Sequence, residues 1–307
     1  MGTINVYVDA ATRENTQRSY RSAVEHFEVQ WGGLLPASVD AIARYLADHG
    51  SSLSVSTLQQ RLAALAAWHR DHGFSDPTKA PLVRKVLKGI RTLHPAQQKQ
   101  ARPVQLEEME AVVGWLDQMI SLASSHSRER EVLRFTRDRA LLLLGFWRGF
   151  RGDELTRLRA EHVKAVAGKG ISCFLPRSKG DRDARGVTFK TPALLKLCPV
   201  EAYIAWTTLS GITEGPVFRA IDRWGNVSAN QLHINSLVPL LRSLFSAAGV
   251  TSADEYTGHS LRRGLATWAN SNGWDLKTLM EYVGWRDVQS AMRYLESADP
   301  FAHMRRS

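Results

Sequence analysis

A ten-residue stretch, HPAQQKQARP from His94 to Pro103, carries two prolines, two basic residues and no apolar periodicity. Proline fixes φ, and a segment without an apolar face has nothing to bury, so it reads as a linker rather than as part of a core. The chain is therefore expected to form two units, residues 1–94 and 104–307, joined at 95–103. At 307 residues and 44% hydrophobic content, there is material for a core in each.

The first unit reads as helices. Tyr20, Val24, Phe27 and Trp31 recur at helical spacing over Thr16 to Trp31, and a second helix, Ser38 to Asp48, starts at a serine cap after Pro36. Leu58, Leu62, Leu65 and Trp68 mark a third, Ser56 to His72. The stretch SDPTKAPLVRKVLKGIRTLH supplies a capped fourth, on which Arg84, Lys85, Lys88 and Arg91 form a basic face. Such a face suits phosphates, although an ordinary solvated helix surface looks the same.

The second unit mixes helices with a small sheet. Val104 to Met119 and Phe135 to Trp147 read as helices, the latter ending in a continuous apolar run from Leu141. Gly149 ends it, so Phe150-Arg151 emerges at a turn before a short acidic start at Asp153 and Glu154. Glu154 can hold the Arg151 guanidinium through paired hydrogen bonds, or the two form a plain surface pair. Ile171, Cys173 and Leu175 alternate, as do Val187 and Phe189, which predicts a hairpin over 171–190. Its turn is Ser178-Lys179-Gly180-Asp181, crowded by Arg177, Arg182 and Arg185.

In GHSLRRGLATWANSNG, Leu261, Leu265 and Trp268 fall on one side of a helical wheel, expected to be core. His259 lies opposite, between Arg262 and Arg263, and that basic side is expected to face an anion at the helix start. Asn272-Gly273 stops this helix, Leu276 to Tyr282 forms the next, and Gly284 breaks the chain again. In the last helix Val288, Ala291, Met292 and Leu295 make a buried stripe, with Tyr294 beside it. Taken singly, each of these features has a plain structural reading.

Taken together, GFRGDEL, GHSLRRG, GWRDV and MRYLE, in that order, resemble the signature of the tyrosine recombinases, or phage integrase family, over nearly the whole chain. The resemblance implies a mainly α fold with a small β-sheet, in which an N-terminal helical core-binding domain precedes an α+β catalytic domain. It implies that Tyr294 is the nucleophile, that Arg151 and Arg262 clamp the scissile phosphate, and that His259 handles the proton. Trp285 stands where many members carry histidine; it can donate a hydrogen bond but has no acid–base role at neutral pH. The family's hairpin lysine corresponds to Lys179, with Arg182 its nearest rival.

These residue types suit phosphoryl transfer. A tyrosine hydroxyl titrates near ~10, so attack on a phosphodiester needs cations and a base beside it. Charge then grows on the non-bridging oxygens, where fixed guanidinium donors are worth most, and the leaving 5′-oxygen takes a proton from Lys179 as general acid. No metal and no cofactor are expected. The sequence carries neither a phosphate-binding glycine loop of the Gly-x-x-x-x-Gly-Lys-Ser/Thr type nor a clustered carboxylate set.

A formal charge of +10 favours capture of a polyanion without saying which. The partners that the resemblance implies are double-stranded DNA recombination sites, further copies of the chain in a tetramer on DNA, and accessory DNA-bending proteins. Arg177 and Arg182 join the basic helix as expected DNA contacts. No membrane association is expected, because apolar runs are short and the amino terminus lacks a basic region followed by an apolar core; a cytoplasmic location follows. Two other readings remain: a type IB topoisomerase-like DNA relaxing enzyme, and a DNA-binding regulator that has lost catalysis.

Overall fold

The computed structural model describes residues 14–95, 100–177 and 185–295. The chain divides into two compact units, Met1–Lys99 and Gln100–Ser307. Within the stretch read as a linker, residues 96–99 lie outside the described ones, while the residues after them are anchored on the second unit. There Arg102 Nη1 donates to Thr251 O (2.9 Å), Arg102 Nη2 pairs with Glu108 (2.5 Å) and Val104 N donates to Ser260 O (3.1 Å). Most of these partners are about 150 residues away in sequence, so the segment's polarity gave no sign of them.

The first unit holds α1 (Glu14–Glu25), α2 (Val39–His49), α3 (Val55–Asp71) and α4 (Pro81–Leu93). The serines at the starts of α2 and α3 act as caps: Ser38 Oγ accepts from Ala41 N and Ser54 Oγ from Thr57 N, each at 3.1 Å. Proline at the first position of α4 costs no hydrogen bond there. The expected first helix, Thr16 to Trp31, instead ends at Glu25 and continues as a π-helical turn, His26–Gln30. That turn lets Phe27 reach the core with Ile42, Tyr45, Leu46, Leu58 and Leu65. Each such fully buried large apolar side chain contributes roughly 2 kcal/mol.

The second unit begins with α5 (Leu106–Ser125), α6 (Glu129–Arg148) and the short α7 (Gly152–Thr156). Helix α5 starts two residues after its expected Val104 but runs six past Met119, and α6 starts six before Phe135, because tertiary packing stabilises turns whose local periodicity is weak. Leu141 to Leu144 and Phe146 are all fully buried, so α6 runs through the middle of this unit. Strands β1 (Val163–Val166), β2 (Gly170–Leu175) and β3 (Val187–Pro192) form an antiparallel sheet in that order. The register sets Cys173 opposite Phe189 and Leu175 opposite Val187, as the alternation predicts. The sheet gains a first strand, β1, that the sequence reading omitted.

Next come α8 (Pro199–Ser210), β4 (Arg219–Ile221), β5 (Val227–Gln231) and α9 (Ile234–Ala247). The β4–β5 pair was also missed; its strands are short and mostly polar, and its turn is held by Asp222 Oδ1, which accepts from Trp224 N and Asn226 N. The unit closes with α10 (Ser260–Ser271), α11 (Leu276–Val283) and α12 (Val288–Leu295). Asp275 caps α11 through Thr278 N (2.9 Å), and Asp287 caps α12 through Ser290 N (2.9 Å). Cys173 and Cys198 are both free and buried. Among the described residues, no helix is long and apolar enough to cross a membrane.

Candidate active site

The site starts at the end of α6. Gly149 adopts a left-handed conformation (φ +62°), which a side chain rarely takes, and a Cβ there would lie 2.7 Å from Leu265 Cδ2. This close turn brings the backbone of α6 against α10. It presents Arg151 at the start of α7, where Glu154 secures it twice. Glu154 Oε2 accepts from Arg151 N (3.0 Å), and Oε1 accepts from Arg151 Nη1 (2.7 Å). Glu154 is itself only 6% exposed, so this is a fixed, desolvated pair rather than a surface one.

The basic side of α10, expected to face an anion, is also interior: Arg262 is 1% exposed and Arg263 is buried beside it. The wheel sees only one helix, and here the partners come from other elements. Arg262 Nη1 donates to Gly149 O (2.7 Å), Nη2 points to Val283 O (3.4 Å), and Nη1 lies 3.9 Å from Glu154 Oε2. One carboxylate thus faces two guanidiniums. Burial, and then the Arg151 cation, pull the Arg262 group down to about 10, which leaves it charged at neutral pH.

Above Arg262 lie two aromatic rings. Its guanidinium carbon is 5.1 Å from the Trp285 centroid and 5.9 Å from the Tyr294 centroid, and the two rings are 4.9 Å apart. The Tyr294 hydroxyl is 3.1 Å from His259 Nδ1 at the start of α10. A neutral imidazole can accept a proton there; His259 is exposed and Tyr294 is half-buried. The left-handed Gly284 ends α11 and turns Trp285 inward to 6% exposure.

Five of the six expected catalytic positions, Arg151, His259, Arg262, Trp285 and Tyr294, are therefore brought together with Glu154, although they come from four segments up to 143 residues apart. Lys179, and with it Arg182, lies outside the described residues. Arg177 is exposed at the end of β2, and Arg84, Lys85, Lys88 and Arg91 are exposed on α4 of the first unit. Among the described residues, no group of three or more His, Cys, Asp or Glu is placed to hold a metal ion.

Sequence reasoning missed two supports. Arg263 Nη1 donates to Arg293 O (3.1 Å), one residue before Tyr294, and Nη2 donates to Gln100 Oε1 (2.6 Å), so it ties the tyrosine helix to α10. Arg148, at the end of the apolar run in α6, is 3% exposed between the rings of Phe189 and Tyr282. A cation closing a run of buried leucines was the available signal for it. On α10, Gly264 was equally silent: a Cβ there would collide with Val104 O and come within 2.7 Å of the Phe146 ring.

Residues 116–300 match the phage integrase family. The chain is 28% identical over 305 residues to an integrase/recombinase xerD homolog of Selenomonas ruminantium, covering 96% of this chain and 85% of that protein. It is 24% identical over 283 residues to recombinase cre of Escherichia phage P1, covering 88% and 78%. In fold it is similar to XerH site-specific recombinase bound to palindromic difH substrate in a post-cleavage complex. That match has a TM-score of 0.62 at 17% identity and covers 91% of this chain and 75% of the other. A lambda integrase dimer bound to a COC′ core site matches at a TM-score of 0.56 and 14% identity, covering 94% and 91%.

Proposed function

This chain belongs to the phage integrase family, and from that premise we propose that it is a site-specific DNA recombinase that cuts and rejoins DNA through a 3′-phosphotyrosyl intermediate. The observation that carries this reading is the Tyr294 hydroxyl at 3.1 Å from His259 Nδ1, with the buried Arg262 guanidinium beside the tyrosine ring. The hydroxyl gives its proton to His259 as its oxygen attacks the scissile phosphorus. Arg151 and Arg262 stabilise the charge that grows on the non-bridging oxygens, and Trp285 donates to one of them. Arg262 keeps donors for this task, since each terminal nitrogen has two hydrogens and spends one on a backbone carbonyl.

The P–O5′ bond breaks as the Tyr294–phosphorus bond forms, and Lys179 protonates the leaving oxygen. The phosphotyrosyl link keeps the bond energy, so a 5′-hydroxyl from a second DNA reverses the step without ATP. Strand exchange then proceeds through a Holliday junction in a tetramer on two DNA sites. Glu154 serves by fixing Arg151 and balancing Arg262. The exposed Arg84, Lys85, Lys88, Arg91 and Arg177 neutralise DNA phosphates, together with Arg182, which follows Arg177 closely in sequence. The chain acts in the cytoplasm, where DNA-bending proteins assist it.

Strand exchange between two labelled duplexes carrying the chain's own recombination site tests this function. A recombinant junction that disappears with Tyr294→Phe is expected. Relaxation of supercoils without any recombinant product would point to a topoisomerase instead, and sequence-specific binding without cleavage would point to a regulator.

A further inference from the structure

Arg148 is a buried cation with no assigned work. Its guanidinium carbon lies 4.2 Å from the Phe189 centroid and 4.4 Å from that of Tyr282, so it is stacked between β3 and α11. Its Nε and Nη1 are buried with no hydrogen-bond partner among the described residues. Tyr282 is held in place for this stack, its hydroxyl donating to Trp147 O (2.6 Å). Packing alone does not account for such a residue. An aliphatic side chain would fill the slot without desolvating a charge, and a buried cation left short of partners is costly unless something nearby uses it.

What lies nearby is the phosphate site. Arg148 sits three residues before Arg151, and Gly149 between them accepts from Arg262. Burial lowers the Arg148 group from its ordinary value, opposed by Tyr282, Cys173 and the Glu154 carboxylate, and its charge in turn presses on Arg262. Glu154 contacts Arg151 and Arg262, and its charge reaches Arg148 only weakly. The cluster carries surplus positive charge that an incoming dianionic transition state would relieve.

We propose that Arg148 is a positioning residue of the transfer step, whose buried charge lies behind Arg151 and Arg262 and strengthens the site's attraction for the charge developing on the phosphate. It touches no substrate atom and acts through the two arginines in front of it. This inference rests on the recombinase reading.

The test separates charge from shape. Arg148→Lys keeps the charge and loses the flat plane; Arg148→Gln keeps a flat end group and loses the charge. Adduct formation is followed in a single turnover at saturating DNA, using suicide duplexes with either a normal scissile phosphate or a methylphosphonate there, which develops one negative charge fewer. With the phosphate, Arg148→Gln is expected to be about 10- to 30-fold slower than the parent, and Arg148→Lys within about threefold of it. With the methylphosphonate, the Arg148→Gln defect should shrink to less than about threefold.

Equal slowing of Arg148→Gln on both substrates, an unchanged rate, or a slower Arg148→Lys than Arg148→Gln would overturn the inference while leaving the recombinase reading intact. So would loss of the folded state in both variants by circular dichroism, which would assign Arg148 to structure alone. Absence of any adduct from the parent protein would remove the recombinase reading itself, and this inference with it.

Discussion

Two sets of cations in this molecule have opposite surroundings. On α4 of the first unit, Arg84, Lys85, Lys88 and Arg91 all project into solvent. Around the junction of α6, α7 and α10 in the second unit, Arg148, Arg262 and Arg263 are buried and Arg151 is pinned by Glu154. Solvated cations are screened by salt and contribute to affinity by releasing counterions, without fixing any one geometry. Buried guanidiniums have already lost their water and their freedom, so they act at full strength on one spot. On the proposed function, capture and chemistry are thus divided between different kinds of site, and each kind should fail differently when altered.

The largest break should come at Arg262. Arg262→Gln is expected to slow single-turnover cleavage by about 10²–10³ while DNA affinity changes little. A loss below tenfold would mean that the buried set is not the catalytic one.

Second is the packing that creates the buried site. Gly264→Ala places a methyl group against Val104 O and the Phe146 ring. It should destabilise the second unit by about 2–3 kcal/mol, read as a lower denaturant midpoint with an unchanged slope. An unshifted midpoint would contradict the close approach of α10 to residue 104.

Third, replacing Lys85 and Lys88 together with alanine should reduce the slope of log affinity against log salt by about 2. Cleavage at saturating DNA should stay within about twofold of the parent, in contrast to Arg262→Gln. A loss of rate at saturation would erase the division drawn here.

The smallest effect is one of pH, and it separates the units. In the first unit His26 packs beside Tyr45 and His49, and Arg61 Nη1 points at its ring (2.7 Å). Burial, then the Arg61 charge and His49, lower the His26 group below 6.5. The unfolded chain therefore takes up this proton first as pH falls. Stability from this residue is present above about 6.5 and declines between that value and the lowered folded one. Thermal melts from pH 7.5 down to about 5 should show the first unit weakening, and His26→Gln should flatten that trend. Arg262 in the second unit, lowered only to about 10, holds its proton throughout this range.

The sequence made the helices of the first unit legible because serine caps and 3.6-residue periodicity are local signals. It also singled out five residues that the fold gathers, since ordered motifs survive even when their spatial neighbours are unknown. It did not reveal that Arg262 is interior. Its partners, Gly149 O and Val283 O, lie 113 and 21 residues away, and no wheel of α10 contains them. The π-helical turn at His26 and the β4–β5 pair were missed for a related reason. The first is dictated by where Phe27 must pack, and the second by turn hydrogen bonds to Asp222 within a mostly polar segment.

The most direct test of the account is covalent trapping on a suicide substrate, followed by digestion and peptide mass mapping. The account predicts a DNA adduct on Tyr294, absent in Tyr294→Phe and strongly reduced in Arg262→Gln at saturating DNA. An adduct on any other residue, or one that forms undiminished in Arg262→Gln, would contradict it.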